Sequence, residues 1–154
     1  MDDTLQCDLL QKRDTSSQNT SCIYSSFVFI LNTLIAFHYA YHLYAALFFA
    51  LFCTSVAHHS AYNTYTLLID KTAILAIFIY GAYIFHQKFT LIQQHIQYIP
   101  ATIVILSFIT TIYLYYYGYI HNKYCYYPHK HTANIYHSIL HFIAAIGHIA
   151  IIIL

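Results

Sequence analysis

Polar residues divide the chain into five long apolar stretches. A helix needs about 20 mostly apolar residues to cross the hydrocarbon core of a bilayer. Tyrosines are concentrated near the ends of these stretches, as in the aromatic belts at membrane interfaces. The pattern therefore predicts an all-α fold, a multi-pass transmembrane helical bundle with about five spans. The predicted spans are residues 21–38, 41–59, 66–86, 98–119 and 134–154.

The segments between and before these spans set the domain organisation. Residues 1–20 are mostly polar and contain four of the five acidic residues of the chain. We predict a disordered cytosolic tail over residues 1–20 and a transmembrane helical domain over residues 21–154. Only "HYAYH" separates the first two spans, without glycine or proline, so the pattern also allows one long helix there.

The composition favours a lipid environment. Charged residues make up 7% of the chain and hydrophobic residues 60%, whereas soluble domains contain about 25% charged residues.

The four cysteines form no CxxC pair, which argues against a zinc knuckle or a disulfide framework. The net charge is +1 and no basic run is present, so the predicted partner is the lipid bilayer and not nucleic acid.

The positions of lysine and arginine predict the orientation in the membrane. With five spans, the N-terminal tail and the loops after the second and fourth spans lie on one side. Cytoplasmic segments carry an excess of these cations, so the N-terminus should be cytosolic and the C-terminus outside or lumenal. The cytosolic side would carry Lys12, Arg13, Lys71, Lys123 and Lys130, and the opposite side Lys88.

Five polar side chains within the spans are predicted to lie near the cytosolic surface. Ser55 and His59 are four residues apart at the end of the second helix, so they share a face. Asp70, the only acidic residue outside the tail, follows in the first turns of the third helix. The last helix starts at the same surface, and His137 and His141 again share a face. Ionisable side chains are costly within a membrane and commonly mark function.

We predict that His59, His137 and His141 bind a zinc ion. Three histidine nitrogens leave a fourth position for water, whose pKa zinc lowers to about 7. Asp70 and Ser55 are the predicted catalytic residues, Asp70 by orienting the water or relaying its proton and Ser55 by hydrogen bonding beside it. The structural alternatives are a small packing residue for Ser55, pairing of Asp70 with Lys71 or with a neighbouring span, and hydrogen bonding within the core for the histidines.

These residues resemble the core motif of the ceramidase-like superfamily of membrane hydrolases, which includes the alkaline ceramidases, the adiponectin and progestin receptors and the bacterial hemolysin III proteins. In that superfamily SxxxH ends one helix, an aspartate lies in the next, and HxxxH lies in the last. Here "SVAHH", "LLID" and "HSILH" supply the three parts. The resemblance implies zinc bound by the three histidines, Asp70 and Ser55 contacting its water, and hydrolysis of an amide bond in a ceramide-like membrane lipid.

The sequence departs from the superfamily in two respects. The superfamily has seven helices, whereas this chain has room for five, and two are missing between the aspartate helix and the last one. Losing an even number keeps the site on one side of the membrane, but the lipid cavity loses two walls that partner chains of a homo-oligomer could supply. Lys71 follows Asp70 where the alkaline ceramidases carry an acid, so the resemblance does not fix the headgroup specificity.

Two other functions are compatible with the sequence. Haem held by histidines of facing helices, such as His42 with His86 or His59 with His137, would make an electron-transfer protein. A non-enzymatic receptor-like or structural membrane protein would keep the motif as a ligand pocket or scaffold.

Other histidines provide alternative ligands. His58 lies about 100° around the helix from His59 and would share a face with Thr54. His148 lies two turns beyond the HxxxH pair, where packing or hydrogen bonding is the expected role. A loop site would use Cys125 with His121, His129 and His131.

Overall fold

The computed structural model describes residues 20–61 and 63–154, and in these residues it is helical with no β-strand. The predicted all-α bundle is therefore confirmed, whereas the predicted tail, residues 1–20, lies almost wholly outside the described residues. The five long helices are α1 (Thr20–His38), α2 (His42–Ser60), α3 (Thr64–Phe89), α4 (Tyr98–Ile112) and α5 (Lys130–Ile153).

Five helical segments are long and apolar enough to cross a membrane: α1, α2, α3, α5 and the segment His95–Tyr126, which contains α4. Other helices cover little of the two outer segments. Of the most apolar 18-residue stretch of α3, 17% is buried, and of the corresponding stretch in the segment containing α4, 6% is buried. Apolar surface of this extent is not stable against water, because soluble monomers seldom expose large contiguous apolar patches. Lipid is the environment that this surface fits.

A tight turn separates α1 from α2, so the two are distinct helices and not one long helix. The Ala40 and Tyr41 amides donate to the carbonyls of Phe37 (3.0 Å) and Ala36 (2.9 Å). These two bonds form a Schellman motif, in which the residue after the C-cap is left-handed. Ala40 takes that conformation with φ 62°. Glycine is the usual residue there, so this helix end lacks its common sequence signal.

A short connection places the end of α2 beside the start of α3. The Asn63 side chain accepts a hydrogen bond from the Thr66 amide at 2.9 Å, and the Thr66 hydroxyl accepts one from the Asn63 amide at 3.2 Å. This reciprocal capping box satisfies two backbone amides that the first turn leaves unpaired. It starts α3 immediately after the turn, and Ser55, His59 and Asp70 therefore lie at the same end of the bundle.

The last helix, α5, packs against α1, α3 and α4. Asn32 of α1 donates to the carbonyl oxygen of Ala145 at 3.2 Å, which links these two helices across the core. At Gly147, a side-chain Cβ would lie 2.8 Å from the Cβ of Ser107. The absence of a side chain there lets α4 approach α5 closely, as small residues do between membrane helices.

The segment containing α4 continues beyond Ile112 through a π-helical turn at Tyr113–Tyr117 and a short helix at Gly118–His121. A chain reversal with left-handed residues at Asn122 and Tyr124 then leads to α5. By contrast, α3 and α4 scarcely contact each other. The bundle is therefore open between these two helices.

Candidate metal centre

The imidazole rings of His59, His137 and His141 lie together at one end of the bundle. His59 is in the last turn of α2, while His137 and His141 face it from two successive turns of α5. The ring centroids are 5.1 Å apart for His59 and His137, 5.6 Å for His59 and His141, and 4.8 Å for His137 and His141. The predicted convergence of three histidines from two helices is confirmed.

The distances between the ring nitrogens decide whether this group could hold a metal ion. One nitrogen from each ring lies within 4.8 Å of the other two. Nitrogens bound tetrahedrally at about 2.1 Å from zinc are about 3.4 Å apart. A movement of less than about 1 Å by each nitrogen would therefore complete the coordination, which small side-chain rotations can provide.

His59 supplies independent support for a bound cation. Its Nε2 atom is buried and has no hydrogen-bond partner among the described residues. Buried polar nitrogens without a partner are uncommon, because the lost hydration is not replaced. A metal ion coordinated by this nitrogen would remove the deficit, so the donor set fits a metal ion.

A serine of α1 orients one of the three imidazoles. The Ser25 hydroxyl donates to the Cys22 carbonyl at 3.0 Å and lies 2.8 Å from Nδ1 of His141. If the hydroxyl proton goes to the carbonyl, Nδ1 of His141 donates to Ser25. The unprotonated nitrogen of His141 is then Nε2, the form in which a histidine binds a metal while its other nitrogen is held by a second group.

The contact of Ser25 with His141 is not apparent from the sequence. The signal in the sequence was a pair of adjacent serines, Ser25 and Ser26, within a mostly apolar span. Serines in membrane helices commonly bond to their own backbone, so this pair does not reveal which distant ring it contacts.

Replacing Ser25 by alanine should weaken metal binding about 10- to 100-fold, the usual effect of removing the group that orients a metal-binding histidine. Zinc affinity measured by competition with a chromogenic chelator would test this. The matched control is Thr33→Ala on the same helix, since the Thr33 hydroxyl donates to the Phe29 carbonyl of its own helix at 2.8 Å. An unchanged affinity in Ser25→Ala would show that Ser25 does not position His141.

Ser55 forms a hydrogen bond between α2 and α1. Its hydroxyl lies 3.0 Å from the hydroxyl of Ser26, which itself donates to the Cys22 carbonyl at 2.7 Å. Ser55 is thus the donor to Ser26, and its oxygen retains free lone pairs on the cavity wall. Its predicted catalytic role stays a prediction.

Asp70 is buried, with 4% of its surface exposed. Its Oδ1 lies 3.4 Å from the Thr54 hydroxyl, which makes a shorter bond of 3.1 Å to the Leu51 carbonyl. The Lys71 ammonium lies 4.7 Å from the centroid of the Tyr115 ring, so a cation–π contact engages this lysine. Asp70 lines the same cavity as His137 and His141.

This cavity has a volume of about 490 Å³ and lies between α3, α4 and α5. That volume is typical of small-molecule sites, which measure about 300–1,000 Å³. Asp70 and two of the metal-site histidines lie at one end, and the walls beyond them are largely phenylalanine and isoleucine. Two contacts bridge the opening between α3 and the segment containing α4: the Lys71–Tyr115 contact and the stacked rings of Phe78 and Phe108, with centroids 5.4 Å apart.

The other candidate ligands do not join the group. His58 is adjacent to His59, with ring centroids 5.2 Å apart, but lies outside the group of converging nitrogens. Within residues 20–61 and 63–154, the loop residues around Cys125 form no comparable group of three ligands. His148 hydrogen-bonds to Tyr44, which is the role expected for it.

No protein-family model matches this chain, and neither a curated protein nor a solved structure shows a significant similarity to it. The functional interpretation therefore depends on the arrangement of the site itself.

Proposed function

We propose that the protein is a zinc-dependent membrane hydrolase of the ceramidase-like kind, cleaving an amide bond in a membrane lipid. The observation that carries this proposal is the position of the three-histidine group. Two of its members, His137 and His141, line one end of an apolar cavity, and Asp70 lines the same cavity from α3. A site of this form can bind the acyl chain of a lipid and hold its polar linkage beside a metal ion.

Zinc suits the ligand set better than the other common divalent ions. Magnesium and calcium prefer oxygen ligands, whereas three imidazole nitrogens with one open position are a frequent catalytic zinc site. When bound, the ion would polarise the amide carbonyl and lower the pKa of a water molecule.

Residues of the chain would bind the metal ion, orient its ligands and transfer the proton. His59, His137 and His141 hold the ion, and Ser25 fixes the orientation of His141. Asp70 accepts a proton from the attacking water and returns it to the leaving nitrogen as the carbon–nitrogen bond breaks. The products are a fatty acid and an amine. The phenylalanines and isoleucines of the cavity exclude bulk water from the acyl chain.

The opening between α3 and α4 provides a route for the substrate. The lipid acyl chain would enter from the bilayer between α3 and α4 as the stacked rings of Phe78 and Phe108 separate, without passing through water. By the positions of the lysines and the arginine, the metal site would lie near the cytosolic surface of the membrane, with the C-terminus outside or lumenal.

The arrangement of the histidines favours a single metal ion over haem. The rings of His59 and His137 would have to bind the haem iron from opposite sides, with the porphyrin passing between them. The ring of His141 lies against both, 5.6 Å and 4.8 Å between centroids, where the porphyrin would need to pass.

The test uses the purified full chain in lipid nanodiscs. We expect about one zinc ion per chain and no visible haem absorption. We expect release of fatty acid from an N-acyl lipid, lost after chelation and restored by added zinc. Ceramide and simpler N-acyl amines would identify the headgroup. A haem band, or unchanged hydrolysis after complete removal of zinc, would overturn the proposal.

A further inference from the structure

The cavity continues well beyond the metal site. It extends along α5 from His141 to His148, seven residues or about 10 Å deeper. Its walls are mainly apolar, but three hydrogen-bonding side chains line it: Ser107 and His148 in the deeper part, and Thr111 one turn nearer the metal site.

His148 presents one ring nitrogen to this cavity. Its Nδ1 is hydrogen-bonded to the hydroxyl of Tyr44, a side chain with 0% exposure. A buried phenol donates its proton to the unprotonated imidazole nitrogen, so the ring proton of a neutral His148 is on Nε2. Nε2 has no hydrogen-bond partner among the described residues, and it is not fully enclosed by protein atoms. It is therefore a donor accessible from the cavity.

The backbone of α3 leaves room for this pair. At Gly81, a Cβ would lie 2.7 Å from the Tyr44 hydroxyl and 3.0 Å from Cε1 of His148. Any larger residue at this position would displace the hydrogen-bonded pair from the cavity wall.

The hydroxyl groups on α4 behave in two different ways. On faces outside the cavity, Thr102 and Thr110 each bond at 2.8 Å to their own backbone carbonyl four residues earlier. Ser107 and Thr111, one turn apart and facing the cavity, make no such bond among the described residues. Their donors remain available to a molecule in the cavity.

Three open hydrogen-bonding groups are unfavourable in an apolar membrane site unless a ligand or water satisfies them. A plain alkyl chain offers no acceptor. We propose that the cavity binds a lipid chain that carries an oxygen function, a hydroxyl or keto group, within its hydrocarbon part. His148 and Ser107 hydrogen-bond to this oxygen about 10 Å from the metal-site histidines, and Thr111 supports it. The inference rests on the proposed function for the position of the lipid's polar linkage.

The test compares ligands that differ only in this oxygen. Stearic acid and a series of hydroxystearic acids, with the hydroxyl moved along the chain, compete with labelled stearic acid for the full chain in nanodiscs. The isomer whose hydroxyl reaches His148 should bind about tenfold more tightly than stearic acid, the effect of one or two well-placed hydrogen bonds.

The variants assign this preference to the named groups. Ser107→Ala should reduce it by at least about threefold while leaving stearic acid affinity unchanged. His148→Phe is made together with Tyr44→Phe, so that no buried phenol loses its partner, and should nearly remove the preference. Thr110→Ala is the matched control, because its hydroxyl is already bonded to its own helix, and should retain the wild-type preference.

The outcomes separate this inference from the proposed function, since binding does not require turnover. Equal affinity for stearic acid and all its hydroxylated isomers would overturn the inference, even if amide hydrolysis is observed. A retained preference without zinc-dependent hydrolysis would support the inference and reject the hydrolase. A dimer that excludes fatty acids from the cavity would also overturn it, because a second copy would then occupy the space.

Discussion

Replacing His141 by alanine is expected to remove the metal ion from the purified protein and to abolish lipid hydrolysis. His141 supplies one of three nitrogens within 4.8 Å of each other, and two imidazoles alone hold zinc weakly. Loss of a group that only orients a ligand lowers metal affinity about 10- to 100-fold. Loss of the ligand itself should therefore exceed about 100-fold. Equilibrium dialysis against buffered zinc, followed by metal analysis, measures the affinity directly.

The control for this variant is His95→Ala. His95 is exposed and lies outside the converging group, so its removal should change neither zinc content nor hydrolysis. Circular dichroism and gel filtration would verify that His141→Ala remains helical and monodisperse, since the replacement also removes a buried ring. Wild-type zinc affinity in a folded His141→Ala protein would reject the assignment of the metal site.

Replacing Asp70 by asparagine should leave zinc and lipid binding intact while lowering the rate of hydrolysis. Asparagine has nearly the same shape, and its side-chain oxygen can take the position of Asp70 Oδ1, 3.4 Å from the Thr54 hydroxyl. It cannot accept the proton of water at neutral pH. Removal of a general base typically lowers a rate about 10²- to 10⁴-fold, so kcat for fatty acid release should fall by that factor.

This variant also distinguishes an enzyme from a receptor-like protein. A receptor would bind lipid in both forms and release no fatty acid in either. For an enzyme, the matched control is Thr72→Ala on the same helix, whose exposed hydroxyl bonds to the Leu68 carbonyl at 2.8 Å, and its rate should be unchanged. Equal rates for Asp70→Asn and the wild type would exclude Asp70 as the base.

Helix ends were predicted less completely than helix interiors. Each span is predicted from many apolar residues together, so no single residue decides whether a helix is predicted there. The end of α1 depends on a single left-handed residue, Ala40, which has no favourable local preference for that conformation. For this reason the apolar pattern alone allowed one long helix through "HYAYH", whereas the structure has two.

The sequence by itself determined the five apolar spans and the two histidine-containing helix faces. The faces follow from the helical period. Successive spans run in opposite directions, so His59 at the end of the second span and the HxxxH pair at the start of the fifth lie at the same end of the bundle. Only the tertiary structure decided which side chains from other helices complete these faces. Ser25 contacts His141, Tyr44 contacts His148, and α3 stays apart from α4 to leave a cavity. Those contacts join residues about a hundred positions apart, and they depend on how the helices pack and rotate against each other, which no local pattern encodes.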